Sequence, residues 1–190
     1  MLVLASQSPR RAELLRQLHV SFSTLPTDID ESILPDEQPI DYVQRLAQQK
    51  ALAGRLLSSP ETIVLGSDTS VVIDDTILGK PQDKADCFRM LKQLSNRQHQ
   101  VITAVSLINL NQTLTRVVIT EVTFKKLTDK EIDWYWQTGE PLDKAGSYGI
   151  QGLGGQFVTH IKGSYSAVVG LPLYETSELL QEMGVDRNEC

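Results

Sequence analysis

Leu2-Val3-Leu4-Ala5-Ser6-Gln7-Ser8-Pro9-Arg10-Arg11-Ala12-Glu13-Leu14-Leu15 opens the chain and decides how the rest is read. The short apolar run at its start predicts a strand. A helix follows almost at once, with Ser8 placed as N-cap and Pro9 at the first helical position, where a missing N–H costs nothing. A strand running straight into a helix leaves unpaired backbone N–H groups at the junction. Arg10 and Arg11 then fall in the first turn, where the helix dipole disfavours cations. An anion between them removes that cost, and a phosphate group is the simplest one. Solvated surface arginines are the alternative, and the Ser-x-Ser-Pro-Arg-Arg context favours the anion site.

The second deciding stretch is Ile63-Val64-Leu65-Gly66-Ser67-Asp68-Thr69. Its apolar half has the continuous character of a central strand buried on both faces, and the strand is expected to end at Gly66 to Thr69. An acidic residue at the end of such a strand is where an α/β sheet places its chemistry. A turn- or helix-capping aspartate is the competing reading of Asp68. Residues 71–73 continue as strand, Asp74-Asp75 turns, and residues 76–78 return as a hairpin. Lys80, preceding Pro81, is extended.

Around these, residues 21–25 read as a strand and the acidic segment 27–32, with Glu31, as a loop. Pro39 opens a helix to about residue 57, with Val43, Leu46, Ala47 and Ala51 on one face. Lys50 lies at the edge of that stripe, where it can reach a cleft or lie in solvent, and taken alone solvent is favoured. Asp83 caps a helix to Leu94 in which Cys87 packs. Residues 98–109 and 113–124 form an antiparallel arm carrying His99 as a surface or partly packed residue. Thr128-x-x-Glu131 is a capping box whose helix stops at Gly139. Half of the twelve glycines then fall in residues 139–155. The P-loop spacing is missing, and Asp143, Lys144 and Gln151 within the segment mark it as a ligand-facing loop. Residues 157–162 read as strand and 173–183 as a final helix, with no element assigned between them.

The 190 residues suit one domain or one two-lobed domain. A net charge of −6 argues against a broad nucleic-acid surface but leaves room for a few focused cations. No apolar run approaches membrane-spanning length, and the opening lacks the pattern of a secretory signal. Cys87 and Cys190 offer neither a disulfide framework nor zinc spacing, which suits a reducing cytoplasm. A basic helix start, the carboxylates Glu31 and Asp68, two lysines and a polar Gly-rich loop together suit a phosphorylated small molecule with a hard divalent cation such as Mg²⁺ or Mn²⁺.

Residues 6–15, Gly66-Ser67-Asp68-Thr69, Leu78-Gly79-Lys80-Pro81 and Gly139-Glu140-Pro141-Leu142-Asp143-Lys144-Ala145-Gly146, in this order, resemble the Maf family of nucleoside triphosphate pyrophosphatases. The resemblance runs from Leu4 to the last helix. It implies cleavage between the α- and β-phosphates, giving a nucleoside monophosphate and pyrophosphate with a divalent metal. The implied fold is an elongated mixed-sheet α/β one, with two lobes around a central cleft, shared with inosine-triphosphate pyrophosphatases. A single Maf-like domain over 1–190, forming a cytoplasmic homodimer, goes with it. The resemblance assigns Ser6, Arg10 and Arg11 to the phosphates, Glu31 to the metal, and Lys50 and Lys80 to catalysis. Asp68 matches the essential aspartate, as proton acceptor or as metal ligand. Arg10, Thr69 and Gln151 match positions that choose the base, in the branch acting on dTTP and UTP. A Gln amide can pair with the carbonyl and N3–H edge of a pyrimidine. Different classes remain beside this reading: a nucleotide-binding regulator of septum formation, a phosphatase or kinase-like phosphotransferase, and a house-cleaner for purine nucleotides.

Overall fold

The computed structural model describes residues 1–185, so Cys190 lies outside the described residues. In chain order the elements are Leu2–Leu4 (β1), Pro9–Arg16 (α1), Phe22–Thr24 (β2), Pro39–Leu56 (α2), Ile63–Ile73 (β3), Thr76–Leu78 (β4) and Lys84–Leu94 (α3). Gln98–Ile108 (β5), Thr113–Phe124 (β6), Asp129–Gln137 (α4), Val158–Lys162 (β7), Tyr165–Val169 (α5) and Leu173–Glu182 (α6) follow. The strands form one mixed sheet in the order β2-β1-β3-β5-β6-β7, with β4 on β3. β1 is parallel to β2 and β3, because α1 and α2 carry the chain across between them. All other pairings are antiparallel. Among the described residues no helix is long and apolar enough to cross a membrane.

Successive residues of β3 face opposite sides of the sheet. On one side Leu65 joins a core with Leu14 and Leu15 of α1 and Leu179 and Leu180 of α6. Further along that side, Val71 and Ile73 join a second core with Leu91 and Leu94 of α3 and Ile132 and Tyr135 of α4. Ser67 and Thr69 lie between, and the seam of polar residues divides the face into two lobes. The opposite side is covered by α2, with Val43 and Ala47 packed on Val72, Ile102 and Ala104. Gly66 allows that close approach, since a Cβ there would stand 2.5 Å from the backbone nitrogen of Ala51.

β3 does not end at Gly66. β5 is paired with it continuously from Val64 to Val72, which holds eleven residues extended. β1 is the strand that stops, paired only with Ile63 to Leu65, and β4 takes up the same edge at Val71. The β3 edge over residues 66–70 is therefore open, a notch in the sheet rather than its end. The turn at Asp74-Asp75 forms as expected, with φ of 49° and 58°. So do the caps from Asp83, which accepts the Asp86 N–H, and from the Thr128–Glu131 box.

Three further expectations need correction. Ser8 occupies the N-cap position of α1, but its hydroxyl makes no capping bond. Ser6 Oγ accepts the Ser8 N–H instead, at 3.1 Å. Residues 165–169 form a helix that the sequence reading left unassigned, capped by Ser164, and five residues are too few to show periodicity. His99 is buried, not superficial. Its Nε2 lies 2.8 Å from the Tyr148 hydroxyl and its ring meets Phe124 edge-on at 5.0 Å.

Burial pulls the His99 pKa down to about 4. The folded state keeps the ring neutral while the unfolded chain protonates near pH 6.5, so stability is lost as pH falls from about 6.5 to about 4. The expected loss across that window is about 2–3 kcal/mol. His99→Gln, which leaves Tyr148 a partner, should flatten urea-measured stability over this range. An unchanged pH slope would contradict the assignment.

Candidate active site

The notch in β3 opens onto a cleft of about 1030 Å³ between the lobes, at the upper end of the range for small-molecule sites. Because β3 alternates, the notch presents Asp68 to the α2 side and Thr69 to the side of α1 and α5. The start of α1, the 27–31 segment, the end of β4 and the Gly-rich segment line the rest.

Asp68 is 7% exposed. Its Oδ1 lies 2.7 Å from Lys50 Nζ, and the same nitrogen lies 2.7 Å from Glu31 Oε1. Lys50 is thus a buried cation between two carboxylates, its side chain only 12% exposed, and not the solvent-facing residue its place on the helix implied. Helical spacing explains how α2 assembles this. Tyr42 and Arg45, about two turns and about one and a half turns before Lys50, hold the acidic loop on the same helix. The Tyr42 hydroxyl donates to the Glu31 carbonyl at 2.9 Å. Arg45 grips Glu37 through two bonds of 2.5 and 2.7 Å and donates to the Ser32 carbonyl at 2.9 Å. Neither residue stood out in the sequence.

The two carboxylates are driven apart electrostatically. Burial, reinforced by the charge of Glu31, raises the Asp68 pKa despite the opposing pull of Lys50 and Arg11. Burial also pushes Glu31 upward, but Lys50, Lys80 and Arg11 outweigh it and hold Glu31 below the usual carboxylate range. Two acids with opposed shifts in one cleft are the mark of divided roles.

Across the notch, Arg11 spans three acceptors. Its Nε donates to the Gly170 carbonyl at 2.8 Å, and its two terminal nitrogens reach Ser6 Oγ and Thr69 Oγ1 at 3.4 Å each. Ser67 Oγ has one proton to share between the Ala104 carbonyl at 2.8 Å and the same Gly170 carbonyl at 3.0 Å, and Thr103 Oγ1 lies 3.0 Å from Thr69 Oγ1. Ser67, Thr103 and Gly170 were missed by sequence reasoning. They converge from three distant segments, and only the positive φ of Gly170, at 131°, had a local signal in its residue type. Arg10 reaches Asp143 Oδ2 at 3.5 Å from the cleft mouth. Lys80 lies exposed on the opposite wall, and Gln151 is exposed on the Gly-rich wall. Asp143 and Lys144 line that wall as a close ion pair. All of the expected site residues (Ser6, Arg10, Arg11, Glu31, Lys50, Asp68, Thr69, Lys80 and Gln151) therefore border one cleft.

The donor set fits a hard divalent cation. Glu31 and Asp68 already converge on one positive charge, the ammonium of Lys50. Among the described residues no three His, Cys, Asp or Glu side chains gather as a closed cage. Two carboxylates with the remaining positions left to substrate phosphates and water is the arrangement Mg²⁺ favours.

The chain is 60% identical over 193 residues to a dTTP/UTP pyrophosphatase of Pseudoalteromonas atlantica, covering 100% of both chains. It is 61% identical over 181 residues to a dTTP/UTP pyrophosphatase of Vibrio vulnificus, covering 95% of this chain and 97% of the relative. Its fold is similar to that of a HAM1 protein from Coxiella burnetii, with a TM-score of 0.53, 16% identity and coverage of 95% and 98%. The family described as Maf-like protein matches residues 1–183, and the chain belongs to that family.

Proposed function

We propose that this chain hydrolyses dTTP and UTP to the nucleoside monophosphate and pyrophosphate, clearing them, or modified pyrimidine nucleotides, from the nucleotide pool. The observation that carries this reading is the pairing, across one notch, of a buried Asp68 with raised pKa and a helix start bearing Ser6, Arg10 and Arg11. The names of relatives at about 60% identity support the pyrimidine substrates.

The triphosphate lies against the start of α1, where backbone N–H groups, Ser6 and the two guanidiniums neutralise its charge. Lys80 closes on it from the other wall. Asp68 accepts a proton from water as the water oxygen bonds to phosphorus, and the α–β bridging bond breaks to release pyrophosphate. Without a bound cation, burial raises the Asp68 pKa and makes it a stronger base than an ordinary carboxylate. Lys50 holds that carboxylate and Glu31 in place. A divalent cation bound by Glu31 and Asp68 would supply charge neutralisation of the phosphates. Gln151 and Thr69 meet the base edge. No observation favours the regulator reading over this one.

The test is initial-rate pyrophosphate release from dTTP, UTP, CTP, GTP, ITP and 7-methyl-GTP. Rates for dTTP and UTP should exceed the others by at least about tenfold, the discrimination that one or two good polar base contacts provide. A purine at the head of the series would overturn the pyrimidine assignment. For the metal, Glu31→Gln should weaken Mn²⁺ binding, followed by electron paramagnetic resonance, on the order of tenfold through loss of one charged ligand. Unchanged Mn²⁺ affinity would remove Glu31 from the metal site.

A further inference from the structure

The Gly-rich wall that carries Gln151 is pinned by two side chains, Tyr135 and Glu140, of which Glu140 itself borders the cleft. Glu140 Oε2 accepts the Leu153 N–H at 2.8 Å, and its Oε1 accepts the Gly154 N–H at 3.0 Å and the Tyr135 hydroxyl at 2.8 Å. Tyr135 Oη in turn accepts the Gly149 N–H at 3.2 Å. The backbone is thereby fixed two residues before Gln151 and two and three residues after it. Between them, Ile150 packs against both lobes' cores.

The fit is close. A Cβ on Gly152 would stand 2.6 Å from Glu140 Oε1, so the loop can wrap the carboxylate only with glycine there. Burial pushes the Glu140 carboxyl upward, but the Gly154 and Leu153 N–H groups and the Tyr135 hydroxyl hold it below its usual range, as an ionised acceptor. The Tyr135 ring is anchored independently, edge-on to Phe157 at 5.0 Å. The Gln151 side chain, by contrast, is exposed and makes no hydrogen bond among the described residues. An amide on a free loop reads a base edge poorly, and a fixed backbone is what gives it a defined direction.

We infer that Glu140, working with Tyr135, is a positioning residue for substrate selectivity: it fixes the 149–154 backbone so that the Gln151 amide meets the base. It acts through the loop and on no reacting atom. The inference rests on the reading of Gln151 as the base-recognising residue.

The experiment measures kcat and KM for dTTP and dCTP in the wild type, Gln151→Ala, Glu140→Ala, Tyr135→Phe and the Gln151→Ala/Glu140→Ala double variant. Tyr135→Phe keeps the ring in the core and deletes only the hydroxyl, so it reports even where Glu140→Ala folds poorly. Both loop-support variants should lower the dTTP/dCTP ratio of kcat/KM by about five- to tenfold, mainly through the KM for dTTP. In the Gln151→Ala background, Glu140→Ala should change that ratio by less than about twofold, because both act through one contact. Equal losses for both nucleotides, or effects that multiply in the double variant, would overturn the positioning role. A ratio unmoved by Gln151→Ala would overturn the base reading and this inference with it. A ratio moved by Gln151→Ala but not by Glu140→Ala or Tyr135→Phe would overturn this inference alone.

Discussion

Asp68→Asn is expected to lower kcat for dTTP by ~10²–10⁴-fold, the range for loss of a positioned base. The substitution conserves shape and removes only the charge. Lys50 keeps its 2.7 Å partner Glu31, so no buried cation is left unpaired. Stability should hold or rise at neutral pH, and the sign follows from the direction of the shift. Burial raises the Asp68 pKa, so the folded state binds this proton more tightly than the unfolded chain does. Stability from Asp68 is therefore full below the ordinary carboxylate range and falls as pH rises through the raised value. At neutral pH the buried charge opposes folding, and asparagine relieves it. Activity has the opposite dependence: the rate should fall as pH drops through the raised pKa, and the residual rate of the variant should lack that limb. Pyrophosphate release across pH, beside a thermal melt, reads both. A variant that retains wild-type turnover would remove Asp68 from catalysis.

Arg11→Ala should lower kcat/KM by ~10²–10³-fold, as for other preorganised donors to a developing charge, and Arg11→Lys should restore little of it. The guanidinium touches Gly170, Ser6 and Thr69 at once, and an ammonium cannot reproduce that fork. Stability should fall by only about 1 kcal/mol, since the Ser67 hydroxyl, shared with the Ala104 carbonyl, stays within 3.0 Å of the Gly170 carbonyl and can turn to it. Among the described residues Arg10 is tied only to Asp143, 3.5 Å away at the cleft mouth, and its loss should be several-fold milder. Steady-state kinetics with a melting curve for each variant checks the order. Rescue by lysine would mean that charge, and not the three-point geometry, is what matters.

What the chain discloses in one dimension is what local chemistry decides. Asp83 and the Thr128–Glu131 box signal their helices because a cap and its target lie three residues apart. Asp74 and Asp75 signal a tight turn because aspartate tolerates positive φ. The strand through Asp68 was misjudged at its far end, since an apolar run followed by Gly66 looks finished. Only pairing with β5, about forty residues on, keeps it extended. Lys50, which the family resemblance puts at the site, reads as solvated from its helix position alone for a related reason. A polar residue at the edge of an apolar stripe looks solvated until Asp68, eighteen positions later, is folded against it. His99 hides equally well, its partner Tyr148 being forty-nine residues away. The candidate site was legible as a set of residue types and motifs, while the way Arg11, Thr69, Ser67 and Gly170 knit together was not. Those contacts join segments up to 159 residues apart.

The most direct test of the account is the product balance of the wild-type enzyme on dTTP with Mg²⁺, resolved by anion-exchange chromatography. Asp68-assisted attack that breaks the α–β bond predicts dTMP and pyrophosphate in one-to-one yield, with no dTDP at any time point. Release of dTDP with orthophosphate would place the cleavage at the γ-phosphate and contradict the central claim.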